Sequence, residues 1–335
     1  MRAYVLHGVG DLRLEERPRP EPRPGWALVK VLAAGICSSD IPRIFQKGTY
    51  HFPTIPGHEF CGLVERVGAP EDQGWIGRRV GVYPLIPCKK CPSCAKGEYE
   101  TCSDYDYIGS RRDGAFGEYV AVPVWNLLAL PDAVSSQAGA MLEPAAVALH
   151  CVKRLGSLKG KSLCIVGTGA IGMLAGQWAL ALGAKAAVKG RNTEKAALAE
   201  RCGLAYLTHT SQEFDCVIEA VGTPEAIGES IALAKPGGEL ALMGNPSGDI
   251  PLEQDIYWRI LRRQLRLSGT WNSSFAGDGS DWREALKGME AGRIQIEALV
   301  SHMFPFSRLM EGLEMMRDKT QAFCKIMVGG DFACG

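Results

Sequence analysis

The chain has 335 residues, more than one ordinary core-sized unit, so two domains are expected. Hydrophobic residues make up 46% and charged residues 22%, close to globular averages, which excludes disordered and fibrous classes. Lys plus Arg balances Asp plus Glu at 37 each, so no global charge draws the chain to nucleic acid, and a small-molecule partner is expected.

Residues 1–19 lack the apolar run followed by small residues that a secretory signal needs, so a cytoplasmic protein is expected. Up to about residue 145, Pro, Gly and short β-branched runs at 27–32, 62–67, 79–82 and 119–122 predict an irregular all-β domain. Within it stand Cys37, in Gly35-Ile36-Cys37-Ser38-Ser39-Asp40, the pair His58-Glu59, and Glu143 before Pro144. Each alone is more often core packing than a ligand. Together they offer one thiolate, one imidazole and carboxylates, the mixed donor set of a catalytic zinc with an open position. An alcohol on such a zinc loses its proton near neutral pH, and the alkoxide can expel a hydride.

The same domain carries Cys88, Cys91, Cys94 and Cys102, spaced C-x2-C-x2-C-x7-C. Tight C-x2-C turns set sulfurs for a tetrahedral zinc, and four thiolates close the shell, so a structural zinc is predicted. A ferredoxin-type iron–sulfur run begins the same way, but here the last gap is longer and no proline follows Cys102. Twelve cysteines without a secretory signal read as thiols and metal ligands rather than disulfides.

From residue 162 strands and helices alternate, which predicts a parallel sheet of βαβ units, with further strands at 216–219, 239–243 and 265–267. Gly167, Gly169 and Gly172, with Ile171 between the last two, form G-x-G-x-x-G after an apolar strand and before an apolar helix. There the glycines allow a tight turn, approach of a pyrophosphate and close helix packing, with the phosphates on the helix N-terminus. A packing-only glycine turn is the bland alternative. The apolar run 171–188 is interrupted by Gln177 and Lys185 and reads as a buried helix rather than a membrane span. No Asp or Glu stands between Gly172 and Glu194, where NAD-binding folds place the carboxylate that binds ribose hydroxyls. Gly190 and Arg191 end the second strand, with Lys189 and Lys195 beside them, and Arg191 can pair with a 2'-phosphate, so NADP is favoured over NAD. After residue 290 come one strand-like run, a helix at 307–316 and a closing run at 324–328, a tail too short to be a domain. The expected boundaries are 1–146 with 291–335 for the first domain and 147–290 for the second.

In this order, Gly57-His58-Glu59, the four-cysteine lobe, Glu143-Pro144 and the glycine turn resemble the zinc-dependent medium-chain dehydrogenases over the whole chain. The runs 37–45, 105–114, 260–263 and 268–272 look most like the galactitol-phosphate and sorbitol dehydrogenase branch. The resemblance implies an α/β protein: a GroES-like β-rich catalytic domain, a doubly wound Rossmann domain with parallel sheet, an active-site cleft, two zinc ions per subunit and a homodimer or homotetramer. It implies zinc ligation by Cys37, His58 and Glu143, with Glu59 a fourth ligand or one step back through water, and proton passage through Ser39. An exchange of Glu59 and Glu143 on the zinc is a further expectation. Relatives that use NAD carry an acidic residue where this chain has Gly190.

A phosphorylated polyol needs a cation at its phosphate end, and Arg43, Arg111 and Arg112 are the candidates, with Lys47 behind them. An internal salt-bridge turn at Arg111-Arg112-Asp113 explains those charges equally well. Tyr50, His51, Trp271 and Asn272 line the pocket by resemblance, or are core. The expected activity is oxidation of a secondary alcohol of a polyol, such as galactitol 1-phosphate, to the ketose. An unphosphorylated polyol, a threonine-like substrate or a simple alcohol is the alternative. A non-catalytic dinucleotide-binding protein would not need Cys37, His58 and Glu143. Nucleic-acid binding through the lobe has only Lys89, Lys90 and Lys96 behind it.

Overall fold

The computed structural model describes residues 1–332; residues 333–335, the end of the tail expected to rejoin the first domain, lie outside the described residues. In chain order the strands are β1 (Arg2–Gly8), β2 (Asp11–Glu16), β3 (Trp26–Gly35), β4 (Glu59–Val67), β5 (Arg79–Val82), β6 (Leu85–Ile86), β7 (Asp106–Tyr107), β8 (Tyr119–Pro123), β9 (Leu127–Ala129), β10 (Ser162–Val166), β11 (Lys185–Lys189), β12 (Ala205–Leu207), β13 (Phe214–Glu219), β14 (Ala234–Leu242), β15 (Arg266–Gly269), β16 (Val300–Pro305) and β17 (Lys325–Gly329).

They fall into two units. The first comprises Met1–Glu143, Phe275–Leu286 and the chain from Val300 on. Its main sheet runs β16-β17-β3-β4-β5-β9, with β8 also pairing β3. Strand β3 is central, and most of its side chains are buried because Val29, Val31 and Ala34 pack with Phe60, Val80, Phe116 and Phe306 in one core. Antiparallel pairing sets Gly35 opposite Glu59, so the segment after β3 that carries Cys37 lies beside the start of β4 and His58. Strand β17 pairs β3 on its other side, with Met327 opposite Gly35, which brings the closing run to the same place.

The expected boundaries put residues 275–286 in the dinucleotide domain, whereas they pack in the first unit. Aromatic contacts are the reason. Phe275 stacks on Tyr83 with centroids 4.6 Å apart, and Trp282 meets Tyr83 edge-on at 5.5 Å.

The second unit, Pro144–Ser274 with Lys287–Leu299, holds a six-stranded parallel sheet in the order β12-β11-β10-β13-β14-β15. That is a doubly wound Rossmann order. Strand β10 starts it, with β11 and β12 on one side and β13 to β15 on the other, so the switch point lies at the carboxyl end of β10. Val166, Val217, Ile231 and Leu240 form part of its core. The helix Ala170–Ala181 is mostly buried, as the apolar run predicts, and no helix among the described residues is long and apolar enough to cross a membrane.

Candidate metal centres and cofactor edge

The four lobe cysteines converge: their sulfurs lie within 4.8 Å of one another, with Cys88 to Cys94 and Cys91 to Cys102 both at 3.9 Å. Tetrahedral bonds of about 2.3 Å set sulfurs about 3.8 Å apart, so these thiols fit one zinc ion. Local structure makes the site. Cys91 caps the short helix Pro92–Ala95 and accepts a hydrogen bond from the Cys94 amide, and such backbone donors lower its pKa to about 5. The eleven described cysteines are all free thiols.

A second group joins the Cys37 sulfur, the His58 ring and the Glu59 carboxylate, again within 4.8 Å. Gly57, at φ +96°, starts this turn, and a Cβ there would lie 2.6 Å from the Phe116 ring. Behind the group Asp40 is fully buried. It accepts a hydrogen bond from the Cys37 amide at 3.0 Å and another from Arg43 at 3.0 Å, and its Oδ1 lies 3.4 Å from His58 Nδ1. Burial opposes charge on His58, but Asp40 and Cys37 outweigh it and hold its pKa well above the ordinary value. The same opposition leaves Asp40 below its usual range through His58 and Arg43. Ser39 donates its hydroxyl to the Cys37 sulfur at 3.2 Å.

Glu143 is outside that three-donor group but shares its field. Burial first and the Glu59 charge second push its pKa up to about 7. A thiol, an imidazole and carboxyls thus lie together, with Arg43 and Lys325 pairing Asp40 and Glu59, and the thiol–imidazole–carboxylate combination is a donor set that suits a zinc ion. Lys325 is the buried counter-charge: it donates to Glu59 Oε2 and, at 3.0 Å, to the Ile36 carbonyl. Reading the chain as a sequence missed its role, because Lys325 stands in a run that reads only as a closing strand. Asp40 is a second such residue, and a carboxylate between Cys37 and Arg43 is the sequence signal for it. Tyr107 is a third such residue, with its ring 5.8 Å from that of His58.

The expected phosphate-end cations are mostly engaged. Arg43 is held by Asp40, and Arg112 pairs with Asp106. Arg111 donates to the Tyr105 carbonyl at 2.9 Å and lies over the Tyr50 and Tyr105 rings at 4.3 and 4.5 Å. Asp113 instead accepts from the Ile55 amide, so the salt-bridge turn exists with Asp106 in its place. Arg111, Arg112 and His51 line a cavity of about 520 Å³ with Arg17, Trp26 and Tyr119, and Cys37 and His58 are not in its wall. Tyr50 is exposed, and Thr54 bonds the His51 ring at 3.0 Å. In the second unit Trp271 is exposed and Asn272 adopts a left-handed φ of 52°.

At the carboxyl edge of the parallel sheet, Gly167 turns at φ +121°, and a Cβ on Gly172 would lie 2.1 Å from the Gly167 carbonyl. Space beside Gly169 is open, and the helix it begins has no side-chain cap, so its first amides are available to a pyrophosphate. Glu219, fully buried, accepts from the Val221 and Gly222 amides at 2.7 Å and fixes the next loop of this edge. Lys195 donates to the Thr168 carbonyl at 3.1 Å, and Lys189 pairs with Glu229 at 2.6 Å. Arg191 is exposed and makes no ion pair among the described residues.

The family profile described as alcohol dehydrogenase GroES-like domain matches residues 23–132, and the one described as zinc-binding dehydrogenase matches residues 170–291. The chain is 35% identical to galactitol 1-phosphate 5-dehydrogenase of Escherichia coli (strain K12), covering 93% of this chain and 95% of that one. It is 27% identical to sorbitol dehydrogenase of Bacillus subtilis (strain 168), over 98% and 97%. Among solved structures, galactitol-1-phosphate dehydrogenase from Escherichia coli superposes with a TM-score of 0.90 at 32% identity, over 98% of this chain and all of that one. A structure from Sinorhizobium meliloti 1021 described as a zinc-binding dehydrogenase bound to NADP gives 0.87 at 30%, over 98% and 99%.

Proposed function

The chain belongs to the zinc-dependent medium-chain alcohol dehydrogenases and is an enzyme of that family, and from this premise we propose that it oxidises a secondary alcohol of a polyol phosphate, galactitol 1-phosphate first, to the ketose with NADP. The observation that carries the dehydrogenase reading is the convergence of Cys37, His58 and Glu59. The 35% identity to galactitol 1-phosphate 5-dehydrogenase supports the substrate class.

Cys37, His58 and Glu59 or Glu143 would hold the catalytic zinc, and Cys88, Cys91, Cys94 and Cys102 the structural one. Zinc supplies the Lewis acidity that lets an alcohol ionise near neutral pH, and the nicotinamide accepts the hydride. Asp40, whose Oδ1 lies 3.4 Å from His58 Nδ1, would orient the His58 ring, and Lys325 balances the charge of Glu59 where that carboxylate stands in the donor group. Ser39, already bonded to the Cys37 sulfur, is the hydroxyl that carries the alcohol proton outward. Gly167, Gly169, Ile171 and Gly172 present backbone to the pyrophosphate, and Gly190 and Arg191 favour a 2'-phosphate over bare ribose hydroxyls.

A second reading, an unphosphorylated polyol, is favoured by the ion pairs that already engage Arg43 and Arg112. Steady-state rates with galactitol 1-phosphate, galactitol and sorbitol separate the two. At least about tenfold higher kcat/KM for the phosphorylated polyol supports the first reading, and equal values for galactitol overturn it in favour of the second.

We further propose that the enzyme is a homodimer or homotetramer. Strand β15 is an edge of the six-stranded sheet with Leu267 exposed, and the helix Gln254–Arg262 exposes Tyr257, Trp258 and Leu261 beside it, a surface suited to a second copy.

A further inference from the structure

Under the proposed NADP binding, Gly190 stands where a carboxylate would otherwise reach the adenosine ribose hydroxyls. The structure gives it a physical neighbour. Strand β12 pairs β11 with Tyr206 opposite Val188 and Leu207 opposite Lys189, and the Gly190 amide donates to the Leu207 carbonyl at 3.0 Å. The Tyr206 hydroxyl then reaches over the strand end and donates to the Asn192 carbonyl at 2.6 Å. A Cβ on Gly190 would lie 2.0 Å from that hydroxyl oxygen, 2.8 Å from the ring carbon bearing it and 3.1 Å from the Thr168 methyl.

Gly190 is not among the glycines with positive φ, so its backbone would accept any residue. What stands in the way of a side chain is the tip of the Tyr206 ring, a half-buried group held over residue 190 by its bond to the Asn192 carbonyl. An aspartate at 190 displaces the tip of the Tyr206 ring, and the cost of that displacement is the hydrogen bond to the Asn192 carbonyl, next to Arg191.

From this we infer that Tyr206 is a specificity-determining residue: its phenol bars an acidic side chain from position 190 and pins the turn that presents Arg191 to a 2'-phosphate. The inference rests on the NADP reading for its sense, but its geometry does not. Tyr206 acts through residues 190–192, and its substitution therefore changes the ratio of NADP to NAD affinity rather than zinc content.

The test is calorimetric titration of NADP and NAD into the zinc-loaded wild type and the Tyr206→Phe, Gly190→Asp, Gly190→Asp/Tyr206→Phe and Gly190→Asp/Tyr206→Ala variants, each checked by thermal melting. Expected is a weak response of NAD affinity to Gly190→Asp alone and a gain of about tenfold or more when Tyr206→Ala accompanies it, with Tyr206→Phe intermediate because it removes the nearest atom. Tyr206→Phe alone weakens NADP a few-fold and leaves NAD unchanged. If Gly190→Asp alone binds NAD as tightly as the double variants, Tyr206 does not guard the position and the inference is overturned. A wild type that prefers NAD overturns the NADP reading separately, because the comparison between single and double aspartate variants remains.

Discussion

Lys325, in the last strand, forms a buried ion pair with Glu59, the neighbour of His58, and side-chain exposures of 4% and 3% leave neither group to solvent. Two distant segments are joined there because β17 and β4 flank β3 on either side. Space for the pair exists because position 35 is glycine: a Cβ would lie 2.3 Å from Glu59 Oε2 and 2.7 Å from Lys325 Cε. Lys325→Met leaves the Glu59 carboxylate buried without its cation, which costs about 3 kcal/mol or more in proteins generally. Urea denaturation of the zinc-free variant checks this, and a midpoint equal to that of the wild type contradicts it.

With a zinc ion on its four thiols, as proposed, the cysteine lobe would contribute stability through its metal. Cys94→Ser opens a closed thiolate shell, so metal analysis is expected to fall from two zinc ions per chain to one, with a lower thermal midpoint. Two retained zinc ions would mean that the lobe is not a binding site.

Much of this was legible in the sequence, and the reasons differ by residue. Spacing alone pointed to the convergence of the four lobe cysteines, since they are local in sequence. The glycine turn was equally legible, because strand, turn and helix are consecutive and each glycine has its own steric reason. The contacts of Lys325 with Glu59 and of Tyr206 with residues 190–192 were not legible, because each arises through strand pairing that no local pattern encodes. Residues 275–286 were misassigned for a related reason: Phe275 and Trp282 find Tyr83 through tertiary packing alone.

Asp215 gives the second unit a pH-dependent element. Lys235 at 2.8 Å, then the Ser162 amide and hydroxyl, hold its carboxyl below the ordinary value of 3.8. A depressed carboxyl stabilises the fold above its unfolded pKa, and that contribution fades as pH falls toward the folded value. Because the group is more than a third exposed, solvent screening limits the cost of Asp215→Asn to about 1 kcal/mol at pH 7. Denaturation curves of the two proteins are expected to differ at pH 7 and to converge below pH 3.8; a constant difference across that range contradicts the assignment.

Edge pairing through β15 predicts that Leu267→Asp shifts the protein toward monomer in sedimentation experiments, since a charge on an edge strand opposes pairing. An unchanged mass places the contact between copies elsewhere.

The most direct test of the account is the rate of NADPH formation from galactitol 1-phosphate by zinc-loaded protein, by the same protein after chelation, and after zinc is returned, with metal content measured at each stage. The account predicts two zinc ions per chain at the start, loss of turnover on removal from the Cys37, His58 and Glu59 group, and recovery on return. Full turnover by protein with no zinc at that group would contradict it.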